Sequence, residues 1–347
     1  MTETYPLRVA VVGTGIFGRN HVRVYKELEK AGESVNLVAV IDPNDAAAAE
    51  ASGNAGVPAF RSVSECLAHL GPLDAASVCV PTVHHRAVAE ELIAAGVDVL
   101  IEKPLAPTLE EADSILRVAT RYERIVQVGH LERFNPAVIA VRKHLNKPMF
   151  FESHRLSVFT PRSLDVDVVL DLMIHDLDIV LSLVGSSVRE VRAVGLPVLS
   201  PKVDIANVRV EFDSGCVANF TASRVSTERV RKLRFFQPHQ YLSLDFARQD
   251  LLMIEVTTAA ANDLGSLAAL SELMVQSGGS PSAALSLSKV PVEPGEPLRL
   301  EIVSFLDAVR NRNRPIVSGG DGRAALHLAL EINRAIAAHA ARAGLVI

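Results

Sequence analysis

Three ionisable side chains recur at helical spacing in the segment DVVLDLMIHDLDIV. Asp171, His175 and Asp178 are four and then three residues apart, so an α-helix would place them on one face. The rest of that helix is nearly all apolar, and buried charges are costly without partners or a function. Asp171 can hold the His175 imidazole in one tautomer and stabilise its protonated form. We therefore predict that His175 and Asp171 form a general acid/base pair.

Two other interpretations of this cluster remain open at this point. It could be a buried cluster satisfied by its own hydrogen bonds, or a metal site of one histidine and two carboxylates. No further group of ligand residues accompanies it in the sequence, so we predict no metal.

A lysine ends a short buried strand in VDVLIEKPLAP. Residues 97–101 are mostly apolar, with Asp98 the one polar interruption, and Glu102, Lys103 and Pro104 follow. Ligands bind at the carboxyl ends of strands in a parallel sheet, and an apolar setting disfavours the charged ammonium. We predict that Lys103 faces the His–Asp pair across a cleft and holds a reacting hydroxyl. The alternative is a surface lysine paired with Glu102.

A Gly-x-Gly-x-x-Gly turn follows the first apolar strand, LRVAVV, and opens a helix, which is the context that makes this motif specific. The first glycine permits the tight turn, the second lets the backbone approach a pyrophosphate, and the third lets helix and strand pack closely. The anion then lies at the helix N-terminus. A plain glycine turn is the alternative. The predicted turn residues are Gly13, Thr14, Gly15, Ile16, Phe17 and Gly18.

Asp42 ends the second strand, where a carboxylate suits a ribose diol and repels a 2′-phosphate. No arginine follows directly, so NAD is favoured over NADP, and a turn aspartate is the alternative. At the end of the third strand, Val80 and Pro81 are predicted to line the nicotinamide side of the cleft. His85 either contacts the cofactor or merely opens the next helix. Glu102 and Lys103 complete the predicted cofactor set.

These residues need elements to position them. Strands and helices alternate over residues 1–128, which predicts an NAD-binding Rossmann domain with a doubly wound parallel sheet. Residues 129–347 predict an α+β domain on an open, mostly antiparallel sheet, with a helix ending at Gly185 and a hairpin turning at Asp213–Gly215. Two C-terminal helices could pack back on the first domain. Residues 257–296 carry no predicted element.

The composition excludes several classes of protein. The 347 residues suit two domains, and the net charge of −5 gives no basic field for nucleic acid or membrane. No apolar stretch reaches the length of a membrane span, and the N-terminus lacks the pattern of a signal peptide. The three cysteines are widely spaced and odd in number, as expected of buried thiols in a reducing cytosol. We predict a soluble cytoplasmic protein.

The segment RVSTERVRKLR is rich in arginine and lysine. These side chains either bind a diphosphate, whose oxygens match the geometry of the arginine guanidinium group, or keep an edge strand soluble. Arg133 and Asn135 in GHLERFNPAV can hydrogen-bond hydroxyl, amide or phosphate groups, and Arg155 and Arg162 are further phosphate candidates. The predicted substrate-binding residues are Arg133, Asn135, Arg155, Asp178 and Arg224.

The ordered motifs together resemble the Gfo/Idh/MocA (glucose–fructose oxidoreductase/inositol dehydrogenase) family over essentially the whole chain. This resemblance implies a Rossmann domain, tight nicotinamide cofactor binding and oxidation or reduction of a sugar-like alcohol. It further implies homodimers or homotetramers formed through the antiparallel sheet. By the same resemblance, Lys103 is the lysine of the Glu-Lys-Pro motif and His175 the acid/base.

The segment GHLERFNPAV is similar to one in family members that act on UDP-linked amino sugars. The segments HRLSVFTPRSLDVDVVLDLMIHDLDIV and FTASRVSTERVRKLRFFQP are similar to those of bacterial UDP-N-acetylglucosamine 3-dehydrogenases. Such enzymes make a 3-keto sugar nucleotide that an aminotransferase converts to a 3-amino sugar for lipid A. One alternative is a free-sugar or inositol dehydrogenase of the same family. The other is a non-catalytic NAD-sensing regulatory protein, which the presence of both Lys103 and His175 disfavours.

Overall fold

The computed structural model describes residues 5–160, 166–256 and 285–345. The chain divides into two compact units. The first comprises Met1–Phe134 with Glu296–His327, and the second comprises Asn135–Gly295 with Leu328–Ile347. The domain boundary that the sequence predicts after residue 128 stays a prediction. No helix of the described ranges is both long enough and apolar enough to cross a membrane.

Helices occur in both units. They are α1 (Ile16–Lys30), α2 (Asp45–Ala55), α3 (Val63–Leu70), α4 (His85–Ala94), α5 (Leu109–Arg121), α6 (Pro136–Val141), α7 (Ile174–Val184), α8 (Pro297–Asn311) and α9 (Gly319–Ala343). Local signals fix several of their ends. Thr108 caps α5 by accepting the Glu111 N–H, and Gly185 ends α7 with φ +60°.

The first unit is built on a parallel sheet. Its strands are β1 (Leu7–Val12), β2 (Val35–Ile41), β3 (Ala59–Phe60), β4 (Ala75–Val78), β5 (Asp98–Glu102) and β6 (Val126–Gly129). Within the described residues they lie in the order β3-β2-β1-β4-β5-β6, the Rossmann order. The predicted doubly wound sheet is confirmed. The short strand β3 and helix α3 were not predicted.

Residues from the far end of the chain complete the core of this unit. Helix α8 contributes Ile302 and Phe305 to the cluster that contains Tyr25 and Leu28 of α1 and Leu37 of β2. All five side chains are buried, and burial of side chains this large contributes about 1.5–3 kcal/mol each. The first unit therefore depends on both terminal regions of the sequence.

Asp98, the polar residue in the strand VDVLIE, is 2% exposed. Its Oδ1 accepts the Ile125 N–H at 2.7 Å, and its Oδ2 pairs with the Arg312 guanidinium. Arg312 also donates to the Glu123 carbonyl at 2.7 Å. The carboxylate thus joins the start of β5 to the residue before β6 and to the residue after α8.

The second unit is built on a mostly antiparallel sheet, as predicted. Its strands are β7 (Phe150–Leu156), β8 (Val188–Leu196), β9 (Ile205–Phe212), β10 (Val217–Ser223), β11 (Val230–Gln237), β12 (Gln240–Asp245), β13 (Asp250–Val256) and β14 (Leu285–Val290). Within the described residues their order is β14-β13-β12-β11-β7-β10-β9-β8, with β7 and β10 parallel.

Two expectations about this sheet need correction. Strand β14 lies in the segment 257–296, where none was predicted, and residues 257–284 lie outside the described residues. The basic strand β11 lies between β7 and β12, so the edge-strand explanation of its charge is wrong. Its residues alternate instead, with Leu233 and Phe235 buried and Lys232 and Arg234 half-buried on the other face.

We expect Asp98→Ala to lower the free energy of unfolding by about 1–3 kcal/mol, because the Ile125 amide loses its acceptor. The Arg312 guanidinium loses its partner as well, but its side chain is 45% exposed and water can replace the carboxylate. Urea denaturation followed by circular dichroism measures the loss. Glu190→Ala, which removes an exposed ion pair with Arg192, is the control and should leave the free energy of unfolding nearly unchanged. Equal losses in the two variants would contradict a structural role for Asp98.

Candidate functional site

The turn between β1 and α1 is packed too closely for side chains at two of its glycines. A Cβ on Gly18 would lie 1.8 Å from the Gly13 carbonyl oxygen, and a Cβ on Gly13 would lie 2.7 Å from the Cys79 backbone. Nothing lies within 4 Å of a Cβ position on Gly15, and no side chain of the described residues caps α1 at this residue. The first amides of α1 are thus open to an anion, which fits the pyrophosphate of NAD.

Asp42 is anchored to this turn. Its Oδ2 accepts the Thr14 N–H at 2.7 Å and the Thr14 hydroxyl at 2.9 Å, and its Oδ1 accepts the Asn44 N–H at 2.9 Å. The carboxylate lies beyond the end of β2, half-buried. Around it, Gly15, Ile16 and Phe17 are exposed, so this edge of the turn is accessible to a ligand.

Lys103 follows directly on β5, at the same carboxyl edge of the sheet as the glycine turn, and is half-buried. The Lys103–Pro104 peptide is cis. Its neighbour Glu102 is buried, and Glu102 Oε1 lies 2.9 Å from the Nε2 of His21, a residue of α1. Glu102 is therefore a buried residue that is hydrogen-bonded to His21, and the role of Lys103 stays a prediction.

Cys79 lies beside this pair. Burial raises the pKa of its thiol well above the usual value, and Glu102 and Glu301 raise it further. The ligand atoms of His21, Cys79 and Glu102 all lie within 4.8 Å of one another, the one such group among the described residues. The His21–Glu102 hydrogen bond already accounts for two of the three, so we assign no metal to them.

His85 is buried under the strand ends. Its Nδ1 lies 3.0 Å from the Pro104 carbonyl oxygen and its Nε2 lies 3.0 Å from that of Val80. Burial lowers the pKa of His85, and the hydrogen bonds to these backbone carbonyls oppose that shift. Val80 is half-buried and Pro81 is exposed. The side chain of His85 therefore joins two loops of the sheet edge, an arrangement that neither sequence interpretation of this residue included.

The segment with the acid/base cluster is not a continuous α-helix. Val169–Met173 forms a π-helical turn that runs into α7, in which hydrogen bonds span five residues instead of four. His175 and Asp178 lie in α7 and are buried, whereas Asp171 lies in the π-turn and is half-buried. The shared α-helical face holds for His175 and Asp178. The pairing of Asp171 with His175 stays a prediction.

Arg155 forms a buried ion pair that the sequence did not indicate. Its guanidinium donates to both carboxylate oxygens of Asp176, at 3.0 and 2.7 Å, and each side chain is 2% exposed. The guanidinium carbon lies 5.3 Å from the centre of the Phe246 ring. Asp176 follows His175 in the chain, so this pair fixes α7 to β7 next to the predicted acid/base.

Arg224 is neutralised in a similar way, with its Nε 3.7 Å from Asp204 Oδ1 and a further hydrogen bond to the Val166 carbonyl. Burial raises the pKa of Asp204, but hydrogen bonds from the Ser200 hydroxyl and three backbone N–H groups bring it down to about 2. Asp204 is therefore ionised at neutral pH, beside the Arg224 guanidinium.

The remaining substrate candidates also have structural contacts. Arg133 is buried, 3.9 Å from Asp321. The Asn135 side chain caps α6 through the Ala137 N–H at 3.1 Å and donates to the Phe246 carbonyl at 3.0 Å. Arg162 lies outside the described residues. The predicted roles of these residues stay predictions.

Two family models match the chain. One, described as an oxidoreductase family with an NAD-binding Rossmann fold, matches residues 7–130, and the other, the GFO/IDH/MocA C-terminal domain, matches residues 137–237. The chain belongs to the GFO/IDH/MocA family. It therefore carries the NAD-binding domain of an oxidoreductase family, which confirms the predicted fold and cofactor.

Relatives of this chain include a sugar-nucleotide dehydrogenase and several inositol dehydrogenases. A UDP-N-acetylglucosamine 3-dehydrogenase of Acidithiobacillus ferrooxidans is 35% identical over 96% of this chain and 98% of its own length. A solved structure of that enzyme superposes with a TM-score of 0.83, covering 96% of this chain and 99% of its own. The NAD-dependent scyllo-inositol 2-dehydrogenase of Bacillus subtilis is 28% identical over 64% of this chain and 68% of its own length.

We expect Gly18→Ala to weaken NAD binding by at least about tenfold, a loss of about 1.4 kcal/mol, because the turn must open to admit the methyl group. Isothermal titration calorimetry with NAD measures the effect. Gly53→Ala is the matched control, since Gly53 is exposed in α2 with nothing near its Cβ position, and it should leave affinity unchanged. Unaltered affinity in Gly18→Ala would show that NAD does not depend on this turn.

Proposed function

We propose that the protein is an NAD-dependent dehydrogenase that oxidises the C3 hydroxyl of a UDP-linked N-acetylhexosamine. The observation that carries this proposal is the 35% identity to a UDP-N-acetylglucosamine 3-dehydrogenase over 96% of the chain. The match spans both units, so it includes the strand ends around Lys103 as well as the helix with His175. Similarity limited to the Rossmann domain would support only the binding of NAD, and not the choice of substrate.

In this proposal the residues of the chain handle the proton and the developing charge. Lys103 binds the reacting hydroxyl and stabilises negative charge on its oxygen. His175 takes the hydroxyl proton, oriented by Asp171, and Asp178 contacts the substrate beside it. Bound NAD supplies the hydride acceptor. The glycine turn and Asp42 would hold the cofactor.

The diphosphate of such a substrate calls for cationic groups and for neutral hydrogen-bond donors. Arg133, Asn135, Arg155 and Arg224 are the proposed contacts. Because Arg155 and Arg224 already pair with Asp176 and Asp204, a diphosphate would share these guanidinium groups with the carboxylates. We therefore propose that Arg155 and Arg224, besides contacting the diphosphate, help to form the surface of the protein to which the substrate binds.

We further propose a homodimer or homotetramer formed through the antiparallel sheet. One face of β9 and β10 carries polar side chains that are exposed or half-buried, namely Asn207, Arg209, Asn219 and Thr221. This accessible face of the sheet supports the proposed contact between subunits. A 3-keto product would be consumed by an aminotransferase, as in the synthesis of 3-amino sugars for lipid A. Three free cysteines support a cytoplasmic location.

A second candidate activity is the oxidation of inositol or a free sugar. It is favoured by the inositol dehydrogenases among the relatives, although their likeness covers a smaller part of the chain. Such substrates carry no diphosphate, so an assay with both kinds of substrate distinguishes the two candidate activities.

We expect NADH to form with UDP-N-acetylglucosamine and not with free N-acetylglucosamine or myo-inositol. Absorbance at the NADH band, with UDP-N-acetylgalactosamine and UDP-glucose as further substrates, measures this preference. A parallel set should contain a glutamate-dependent aminotransferase, since an unfavourable equilibrium can stall ketone formation. If only an uncharged polyol is oxidised, the nucleotide-sugar proposal is refuted, while the assignment of the chain to its family still stands.

We expect Lys103→Met and His175→Ala each to reduce kcat by about 10²–10⁴-fold, the usual contribution of a positioned acid or base. The affinity for NAD should remain within about threefold, equivalent to well under 1 kcal/mol. Stopped-flow turnover and calorimetry give the two values. Equal loss of turnover and NAD affinity would instead indicate a structural role.

A further inference from the structure

Two buried histidines reach the turn that carries Lys103, one from each side of the residue. His21 comes from α1 and contacts Glu102, the residue before the lysine. His85 comes from the start of α4 and contacts the carbonyl of Pro104, the residue after it. Both are at most 1% exposed. Neither histidine belongs to the proposed chemistry, so their position calls for another explanation.

His21 holds a carboxylate that has little room to move. Its Nε2 lies 2.9 Å from Glu102 Oε1, while its Nδ1 is buried without a hydrogen-bond partner among the described residues. A ring that donates through Nε2 and leaves Nδ1 unprotonated fits this pattern, because a buried N–H without an acceptor is the costlier state. On the other side, a Cβ on Gly129 would lie 3.0 Å from Glu102 Oε2. Glu102 is therefore enclosed between α1 and β6.

His85 holds the backbone. Its Nδ1 lies 3.0 Å from the Pro104 carbonyl oxygen and 3.4 Å from that of Leu105, and its Nε2 lies 3.0 Å from that of Val80. Carbonyl oxygens only accept hydrogen bonds, so the ring is the donor in each contact that carries a proton. A neutral ring donates from one nitrogen only, and the Nδ1–H tautomer donates to the turn after β5 while Nε2 stays in contact with the loop after β4.

We propose that His21 and His85 are positioning residues that fix the Lys103 ammonium for catalysis. This inference rests on the proposed function, in which Lys103 binds the reacting hydroxyl. Rates of oriented reactions fall by about 10²-fold for a displacement of about 1 Å, and residues 102 and 104 determine where the lysine backbone lies. His21 acts through the Glu102 side chain and His85 acts through the Pro104 carbonyl.

The test uses amides that mimic one ring nitrogen at a time. The side-chain nitrogen of glutamine occupies the position of Nε2, and that of asparagine occupies the position of Nδ1. His21→Gln should keep the bond to Glu102, and His85→Asn should keep the bond to Pro104. His85→Gln should keep only the contact with Val80. His21→Leu and His85→Leu remove every hydrogen bond.

We expect the two leucine variants and His85→Gln to lower kcat by about 10–100-fold, with the NAD dissociation constant within threefold of the unsubstituted protein. His21→Gln and His85→Asn should retain kcat within about threefold. A readout without catalysis comes from hydrogen–deuterium exchange of the full chain without substrate. The amides of Lys103, Leu105, Ala106 and Thr108 should exchange faster in the leucine variants and close to normally in His21→Gln and His85→Asn.

Tyr25→Phe is the matched control, because it removes a buried hydrogen bond to Ser77, 2.9 Å long, in the same unit. It should lower the melting temperature without changing kcat. If Lys103→Met is inactive while every histidine variant keeps full kcat, the positioning role is refuted and the proposed function stands. If Lys103→Met keeps full turnover, the proposed role of the lysine fails first. Parallel losses of kcat, NAD affinity and melting temperature, without recovery in the amide variants, would also refute positioning.

Discussion

The candidate site depends on a close approach that only glycine permits. With no side chains at Gly13 and Gly18, the turn after β1 packs against the backbone of Cys79, and α1 starts almost in contact with the sheet. That placement brings His21, one turn into α1, within hydrogen-bonding distance of Glu102 at the end of β5. Cofactor turn and lysine turn are therefore parts of one packing arrangement. A methyl group at Gly18 would disturb both.

The second unit uses a different device, the buried ion pair. Arg155 and Arg224 each face an aspartate from another element, and all four side chains are nearly or fully inaccessible. Charges removed from water need partners with good geometry to offset the cost of desolvation. The bidentate bond to Asp176 provides this for Arg155. Because Asp176 adjoins His175, the same pair limits the freedom of the histidine backbone.

Much of the fold was predictable because its signals are local. Apolar runs marked the central strands, the glycine turn marked the start of α1, and Gly185 marked the end of α7. The structure also contains features that no local sequence pattern indicates. The two-residue strand β3 has no periodicity to detect, and the π-turn before α7 results from how one extra residue is accommodated. The interior position of β11 is a matter of strand pairing, which its charges obscured.

The site was predictable in its residue types more than in its contacts. Lys103, His175 and the glycines stood out by chemistry and spacing. His21 was visible three residues after Gly18, but its partner Glu102 lies 81 residues away, and no spacing rule connects them. Asp176 likewise lies between two more conspicuous residues, and its partner Arg155 is 21 residues away in the sequence.

The return of α8 to the first unit also constrains the order in which the protein can mature. During synthesis, β1, α1 and β2 leave the ribosome long before Ile302 and Phe305, the side chains that cover Tyr25 and Leu28. The α8 side chains of this cluster are therefore absent while residues 135–295 are being translated. The first unit therefore takes part of its core from a segment that is translated after residues 135–295.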